Sequence, residues 1–177
     1  MPMNLPNKLT LFRVVLIPVF IIVLMSGLIS EPMNRYIAVV IFCIASFTDY
    51  LDGHIARKYN LVTNFGKFMD PLADKLLVSA ALICMIEIGM LPAWIVIIVI
   101  SREFIITGFR LIAAEGGLVI AASWWGKIKT ATQMIMIILV MLGINDMLGK
   151  VLIILATLFT VISGVDYIVK NISILKN

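Results

Sequence analysis

Six apolar stretches of about 20 residues follow one another along the chain, which is the length a helix needs to cross a bilayer. They cover, approximately, residues 9–28, 34–57, 64–88, 92–114, 124–143 and 147–169. Helix-breaking residues separate several of them: Ser30 to Pro32, Gly89 to Pro92, Gly116 with Gly117, and Gly143 to Asp146. The pattern predicts an all-α polytopic membrane protein with six transmembrane helices.

The composition agrees with a chain that lies in a bilayer. Of the 177 residues, 62% are hydrophobic and 14% are charged, whereas soluble domains have about 25% charged residues. The composition therefore excludes a soluble globular protein, and the length predicts a single membrane domain over residues 1–177. The net charge of +4 is modest, and no nucleic-acid-binding motif is present. The predicted partners are thus membrane lipids and not nucleic acid.

Lysine and arginine are distributed unevenly between the two ends of these helices. If the N-terminus, the second and fourth connections and the C-terminus share one side, twelve of the 14 basic residues fall there. They are Lys8, Arg13, Arg57, Lys58, Lys67, Lys75, Arg102, Arg110, Lys127, Lys129, Lys170 and Lys176. Only Arg35 and Lys150 fall on the other side. Because cytoplasmic segments are rich in Lys and Arg, we predict a multi-pass protein of the cell membrane with both termini in the cytoplasm.

Charged residues inside the predicted helices gather at the same cytoplasmic level. They lie at the end of the second helix, the start of the third, the second half of the fourth and the start of the fifth. We therefore expect a polar chamber, and with it the active site, open to the cytoplasm. The opposite half is almost purely apolar and no inverted repeat is visible, which disfavours the alternative of a small ion-coupled transporter.

Four aspartates stand out in this apolar chain. Asp49 and Asp52 are three residues apart in the second helix. Asp70 and Asp74 are four apart in the third. Each pair shares a helix face, and the short connection makes the two helices antiparallel neighbours, so the four carboxylates can converge. Left uncompensated in a bilayer, they would cost on the order of 10 kcal/mol, so cations are expected among them.

The carboxylates predict the type of cation and, through it, the type of chemistry. Hard oxygen ligands favour Mg²⁺, Mn²⁺ or Ca²⁺, and the lack of a His or Cys cluster argues against zinc. Carboxylate-bound Mg²⁺ keeps positions for water and substrate phosphates. We therefore expect chemistry on a phosphate ester, with one or two ions stabilising the oxygens of an in-line displacement. Gly53 and Gly66, beside the aspartates, allow either close helix packing or entry of a flat ligand.

The spacing of this stretch resembles the signature of the CDP-alcohol phosphatidyltransferase family. The eight matching positions are Asp49, Asp52, Gly53, Ala56, Arg57, Gly66, Asp70 and Asp74. The resemblance implies transfer of a phosphatidyl group from a CDP-linked lipid, CDP-diacylglycerol, to a small alcohol, with release of CMP. It also implies a six-helix architecture and a homodimer.

The resemblance also implies roles for single residues. The metal ligands of a centre of two Mg²⁺ or Mn²⁺ ions would be Asp49, Asp52, Asp70 and, as a further contact, Asp74. Asp74 would also be the catalytic general base for the acceptor hydroxyl. The nucleotide would be bound by Gly53, Ala56, Arg57 and Gly66, with Asn7 and Thr10 from an N-terminal element that also contains Arg13.

A group of basic residues bears on the acceptor. Arg102 and Arg110 lie in the fourth predicted helix and Lys127 at the start of the fifth. Arginine binds phosphate through two hydrogen bonds and lysine as a point charge, so these residues could bind the phosphate of a phosphorylated acceptor. Residues 101–110 and 126–130 resemble the branch of the family whose acceptor is sn-glycerol 3-phosphate and whose product is phosphatidylglycerophosphate.

Two alternatives remain open for these residues. The arginines could simply neutralise Glu103 or the aspartates, while Lys127 could be an ordinary cytoplasmic charge. Within the family, the acceptor could instead be an inositol phosphate, serine or phosphatidylglycerol.

Overall fold

The computed structural model describes residues 4–59, 61, 63–118, 120 and 123–172. The regular secondary structure of these residues is entirely helical. The helices are α1 (Leu5–Met25), α2 (Met33–Lys58), α3 (Asn64–Glu87), α4 (Ala93–Glu115), α5 (Trp124–Met141) and α6 (Asp146–Asn171). The prediction of an all-α chain with six helices is confirmed.

Four helices begin at side-chain caps, in which a polar side chain accepts a hydrogen bond from a free backbone N–H of the first turn. Asn4 caps α1, Thr63 caps α3, Ser123 caps α5 and Asn145 caps α6. In α1 a proline also occupies the first turn, where its missing N–H costs nothing. The caps fix the starts of α1 and α3, the parts of those helices that carry the polar residues described below.

The helices form two compact units, one of α1 to α3 and one of α4 to α6. In the first unit α1 packs against both α2 and α3. The rings of Phe20 and Phe42, both fully buried, join α1 to α2 with their centroids 6.2 Å apart. Because α1 contacts both of its neighbours, polar residues on its inner face can meet side chains of α2 and α3 together.

In the second unit α6 packs against both α4 and α5. An edge-to-face contact between Phe109 and Tyr167 joins α4 to α6, with ring centroids 6.5 Å apart. Trp125 stacks on Phe159 at 6.3 Å and joins α5 to α6. These aromatic pairs fix the approach of the two helices that carry the basic residues to α6.

Three helical segments within the described residues are long and apolar enough to cross a membrane: Leu5–Met25, Met33–Ala56 and Asp146–Asn171. Large apolar side chains such as Val15, Ile22, Ile154 and Val165 are exposed on α1 and α6, as expected for helices that face lipid. Among the described residues, α3, α4 and α5 do not meet the same criterion of length and composition. Six membrane spans, the polar chamber and the single domain over 1–177 therefore stay predictions.

Candidate active site

A stripe of polar residues runs along one face of α1. Asn7, Thr10 and Arg13 are spaced by three residues, which places them on one helix face, and all three side chains are buried. Asn4, one step earlier, caps the helix and also donates from Nδ2 to the Leu61 carbonyl at 2.8 Å. The stripe contacts the end of α2 and the start of α3, where the aspartates lie.

Arg13 joins both aspartates of α2 to α1. Its Nη1 lies 2.8 Å from Asp49 Oδ1, and its Nη2 donates a hydrogen bond to Asp52 Oδ2. Its Nε donates to the Ala45 carbonyl at 3.3 Å. The Arg13 side chain is completely buried, and that of Asp52 is 2% exposed. A buried carboxylate needs a counter-charge, and Arg13 supplies it.

Thr10 brings the aspartates of α2 and α3 to one place. Its Oγ1 lies 2.6 Å from Asp70 Oδ1, 3.3 Å from Asp52 Oδ2 and 3.1 Å from the Pro6 carbonyl. A hydroxyl has one proton to donate, so the closest acceptor, Asp70, is its main partner. Asp49, Asp52 and Asp70 thus gather around two side chains of α1, while Asp74 lies one turn beyond Asp70 on α3 and is exposed.

The first turn of α3 lies very close to α1 at Gly66. A Cβ at this position would lie 3.3 Å from Asn7 Oδ1, 3.3 Å from Thr63 Oγ1 and 3.5 Å from Asp70 Oδ2. The Thr63 hydroxyl in turn donates to Asn7 Oδ1 at 2.9 Å. Close packing therefore accounts for Gly66 without a ligand, although the same contacts place it beside Asp70.

The remaining residues predicted to bind the nucleotide lie near the end of α2. Gly53 and Ala56 are half-buried. Arg57 belongs to α2, but its side chain lies outside the described residues. The structure thus brings Asn7, Thr10 and Gly66 to the aspartates and locates Gly53 and Ala56 on the same helix as Asp49 and Asp52.

The donor atoms fit a hard divalent cation, because Asp49, Asp52 and Asp70 all offer carboxylate oxygens. In the described part of the chain, however, no group of three or more Asp, Glu, His or Cys side chains is arranged closely enough to hold one ion. Oxygens of these aspartates are engaged by Arg13 and Thr10. Binding an ion would therefore require at least some of them to change partners.

A second group of charges, in the α4–α6 unit, centres on Glu103. Its Oε1 accepts hydrogen bonds from Lys129 Nζ at 2.5 Å and from Arg102 Nη1 at 3.0 Å. Lys129 is buried, and the other two are half-buried. The alternative that Arg102 neutralises Glu103 is thus partly right, because the pair exists, but a second cation shares the same oxygen.

The other two basic residues predicted to bind the acceptor lie against aromatic rings. The Arg110 guanidinium lies 5.8 Å from the centroid of the Tyr167 ring, and its Nε donates to the Tyr167 hydroxyl at 3.4 Å. Lys127 Nζ lies 5.9 Å from the centroid of the Trp124 ring. Both contacts are within the range of cation–π interactions, and both basic residues are exposed.

Two contacts of this site were not foreseen. From the sequence, Arg13 is predicted to be one of the cytoplasmic charges and part of the N-terminal element. The sequence pattern does not indicate that it is the counter-ion of Asp49 and Asp52. Lys127 is the lysine predicted to bind the acceptor phosphate, whereas Lys129 is the lysine that pairs with Glu103. The regular spacing of Asn7, Thr10 and Arg13 was the available signal for the first contact, since a buried polar stripe needs polar partners.

Comparison with known proteins identifies the family of this chain. The sequence profile of the CDP-alcohol phosphatidyltransferase family matches residues 3–162. The chain belongs to this family. The match extends across α1 to α5 and most of α6, and the resemblance noted at the eight signature positions is confirmed.

Named relatives of this family are similar over nearly the whole chain. A CDP-diacylglycerol–glycerol-3-phosphate 3-phosphatidyltransferase of Bacillus subtilis (strain 168) is 47% identical, over 98% of this chain and 97% of the relative. A protein of the same name from Haemophilus influenzae is 42% identical, over 95% of this chain and 93% of the relative. A probable phosphatidylglycerophosphate synthase of Mycobacterium tuberculosis (strain ATCC 25618 / H37Rv) is 42% identical, over 94% of this chain and 81% of the relative.

Proposed function

We propose that this protein transfers the phosphatidyl group of CDP-diacylglycerol to sn-glycerol 3-phosphate, giving phosphatidylglycerophosphate and CMP. The observation that carries the proposal is the full-length similarity, at 47% identity, to a relative named for this reaction. The convergence of Asp49, Asp52 and Asp70 around Arg13 and Thr10 supports it, because the aspartates occupy the signature positions of the family.

In the proposed reaction, the acceptor hydroxyl oxygen attacks the lipid-side phosphorus of the diphosphate. The bond from that phosphorus to the bridging oxygen breaks, and CMP leaves with the electron pair. Asp74 is the proposed general base, which takes the hydroxyl proton on its carboxylate. Its exposed position, one turn from Asp70, supports this role, because a base must be within hydrogen-bond reach of an incoming acceptor.

The aspartates are the proposed ligands of Mg²⁺ or Mn²⁺, with two ions as the expected number. Asp49, Asp52 and Asp70 would be the main ligands and Asp74 a further contact. Such ions, when bound, stabilise negative charge on phosphate oxygens. Arg13 orients Asp49 and Asp52, and Thr10 holds Asp70 near Asp52, so α1 orients carboxylates of both neighbouring helices.

The remaining binding roles are also part of the proposal. The cytidine nucleotide would lie against Gly53, Ala56, Arg57 and Gly66, with Asn7 and Thr10 beside it. The acceptor phosphate would be bound by Arg102, Arg110 and Lys127. The unequal distribution of Lys and Arg supports six spans in the cell membrane with both termini and the site cytoplasmic. A homodimer rests on family membership alone.

The decisive experiment measures CMP release by the purified protein in detergent or lipid. CDP-diacylglycerol and Mg²⁺ or Mn²⁺ are supplied with sn-glycerol 3-phosphate, an inositol phosphate, serine or phosphatidylglycerol. We expect release with sn-glycerol 3-phosphate only. Release with another acceptor would instead identify a sister enzyme, and no release with any acceptor would contradict the family activity.

The Asp74→Asn variant tests the proposed base in the same assay. We expect turnover to fall by at least about 100-fold, because an amide cannot accept the proton, while binding of CDP-diacylglycerol is retained. Turnover close to that of the unaltered protein would refute the role of Asp74.

A further inference from the structure

Glu103 binds two cations with a single carboxylate oxygen. Lys129 Nζ donates to Oε1 from α5 at 2.5 Å, and Arg102 Nη1 donates to the same oxygen from α4 at 3.0 Å. A lone ion pair would need only one of them. The shared oxygen therefore holds an ammonium and a guanidinium next to each other, and the three groups together carry a charge of +1.

Arg102 also has a defined place between two glycines. A Cβ at Gly164 of α6 would lie 3.2 Å from Arg102 Cγ, and a Cβ at Gly126 of α5 would lie 3.7 Å from its Nη2. The side chain thus passes close to the backbones of both helices. Its Nε is buried and has no hydrogen-bond partner among the described residues, so this N–H is available to an acceptor that enters the site.

We propose that Glu103 is a positioning residue, which holds Arg102 and Lys129 side by side so that both contact the phosphate of the acceptor. The ligand is a phosphate monoester, whose several oxygens can accept from a guanidinium and an ammonium together. The inference rests on the proposed function and deepens it, because it adds Lys129 and Glu103 to the acceptor site. Because the two cationic side chains are already held in place before binding, less conformational entropy is lost when the phosphate binds.

The test compares Michaelis constants for the two substrates. For Glu103→Gln, we expect the KM for sn-glycerol 3-phosphate to rise about tenfold or more, while that for CDP-diacylglycerol changes less than about twofold. Glu103→Asp keeps the charge and should restore part of the affinity. Lys129→Met should raise the same constant, and the double variant should show less than the product of the two effects, because both changes disrupt one contact.

A second variant and a matched control distinguish a specific effect on acceptor binding from a general loss of folding. Gly164→Ala leaves all three charges in place but pushes against Arg102 Cγ, so it should raise the KM for sn-glycerol 3-phosphate in the same way. Glu115→Gln removes an exposed acid at the end of the same helix and should change neither constant.

Binding can be measured without turnover by the rise in Tm that sn-glycerol 3-phosphate produces. We expect this rise in the unaltered protein and its loss in Glu103→Gln. If the unaltered protein shows the rise and the acceptor-dependent CMP release but Glu103→Gln changes neither, the positioning role is wrong and the proposed function stands. An equal increase in both Michaelis constants would also overturn it. Without release or Tm rise in the unaltered protein, both proposals fail.

Discussion

The buried guanidinium of Arg13 balances carboxylates that come from another helix. Arg13→Gln would leave Asp52, whose side chain is 2% exposed, without this counter-charge. Removing one partner of a buried ion pair typically costs about 3–5 kcal/mol. We expect a clear fall in Tm in the presence of EDTA, and partial recovery with Mg²⁺, because a bound cation would replace the lost charge. Thermal unfolding in detergent measures both.

Arg35→Gln is the matched control for Arg13. Its partner Glu31 is one turn away, and the two side chains are 25% and 59% exposed. Exposed pairs of this kind contribute about 0–1 kcal/mol, so the variant should leave Tm almost unchanged. If Arg13→Gln lowers Tm no more than Arg35→Gln does, Arg13 is not the counter-ion that the contacts indicate.

The aspartates could be predicted from the sequence residue by residue, whereas their partners could not. Helical spacing alone pairs Asp49 with Asp52, and a short connection makes Asp70 their neighbour. The contacts of Arg13 and Thr10 depend on α1 packing against both α2 and α3. The spacing of polar residues in α1 indicates a polar face but does not identify its partners. The pairing of Lys129 with Glu103 could not be predicted for a similar reason, because it depends on how the helices pack; the role of Lys127 stays a prediction.

At the scale of elements, the helix ends follow local signals that the sequence displays. The predicted breakers at Gly89 and Gly143 have φ angles of 74° and 76°, a left-handed conformation that glycine adopts without strain. Helix α1 begins at Leu5 instead of near residue 9 because Asn4 caps it. That cap lies in a polar segment, which a search for apolar runs does not detect.

The contact between the start of α3 and α1 gives a prediction at this scale. Gly66→Ala adds a methyl group 3.3 Å from Asn7 Oδ1 and Thr63 Oγ1, so the hydrogen bond between these two side chains must shift. Overpacking of this kind costs about 1–3 kcal/mol, more than the roughly 1 kcal/mol that alanine gains over glycine in a helix. We expect a lower Tm and weaker use of CDP-diacylglycerol.

Gly108→Ala in α4 is the control, since a Cβ there meets nothing within 4 Å. Only the helix propensity changes, so Tm should stay the same or rise by an amount that corresponds to at most about 1 kcal/mol. If the two alanine variants behave alike, the close approach of α3 to α1 at Gly66 does not constrain the protein.

At the scale of the whole molecule, the distribution of charge carries the prediction about the membrane. Segments in α1, α2 and α6 are long and apolar enough to cross it, although α1 and α2 already carry Arg13, Asp49 and Asp52 of the candidate site. Its other acids and bases lie on α3, α4 and α5. Ionisable side chains at membrane depth are tolerated where they face a protein interior or water and are paired. The ion pairs of Arg13 meet this requirement for charged residues of α1 and α2. The ion pairs of Glu103 meet it for charged residues of α4 and α5.

Reporter fusions in cells test the predicted orientation. A reporter active only in the cytoplasm, fused after the last residue, should be active, and one active only outside the cell should be inactive. Fusions after Glu31, in the first connection, should give the reverse, because this side carries only Arg35 and Lys150 of the 14 basic residues. Activity of the same reporter at both positions would contradict the odd number of spans predicted between Glu31 and the last residue. Fusions after residues 90 and 144 lie in the third and fifth connections. If α3, α4 and α5 also cross the membrane, these fusions should behave like the fusion after Glu31. A cytoplasmic signal at both positions would show that these helices do not span the membrane.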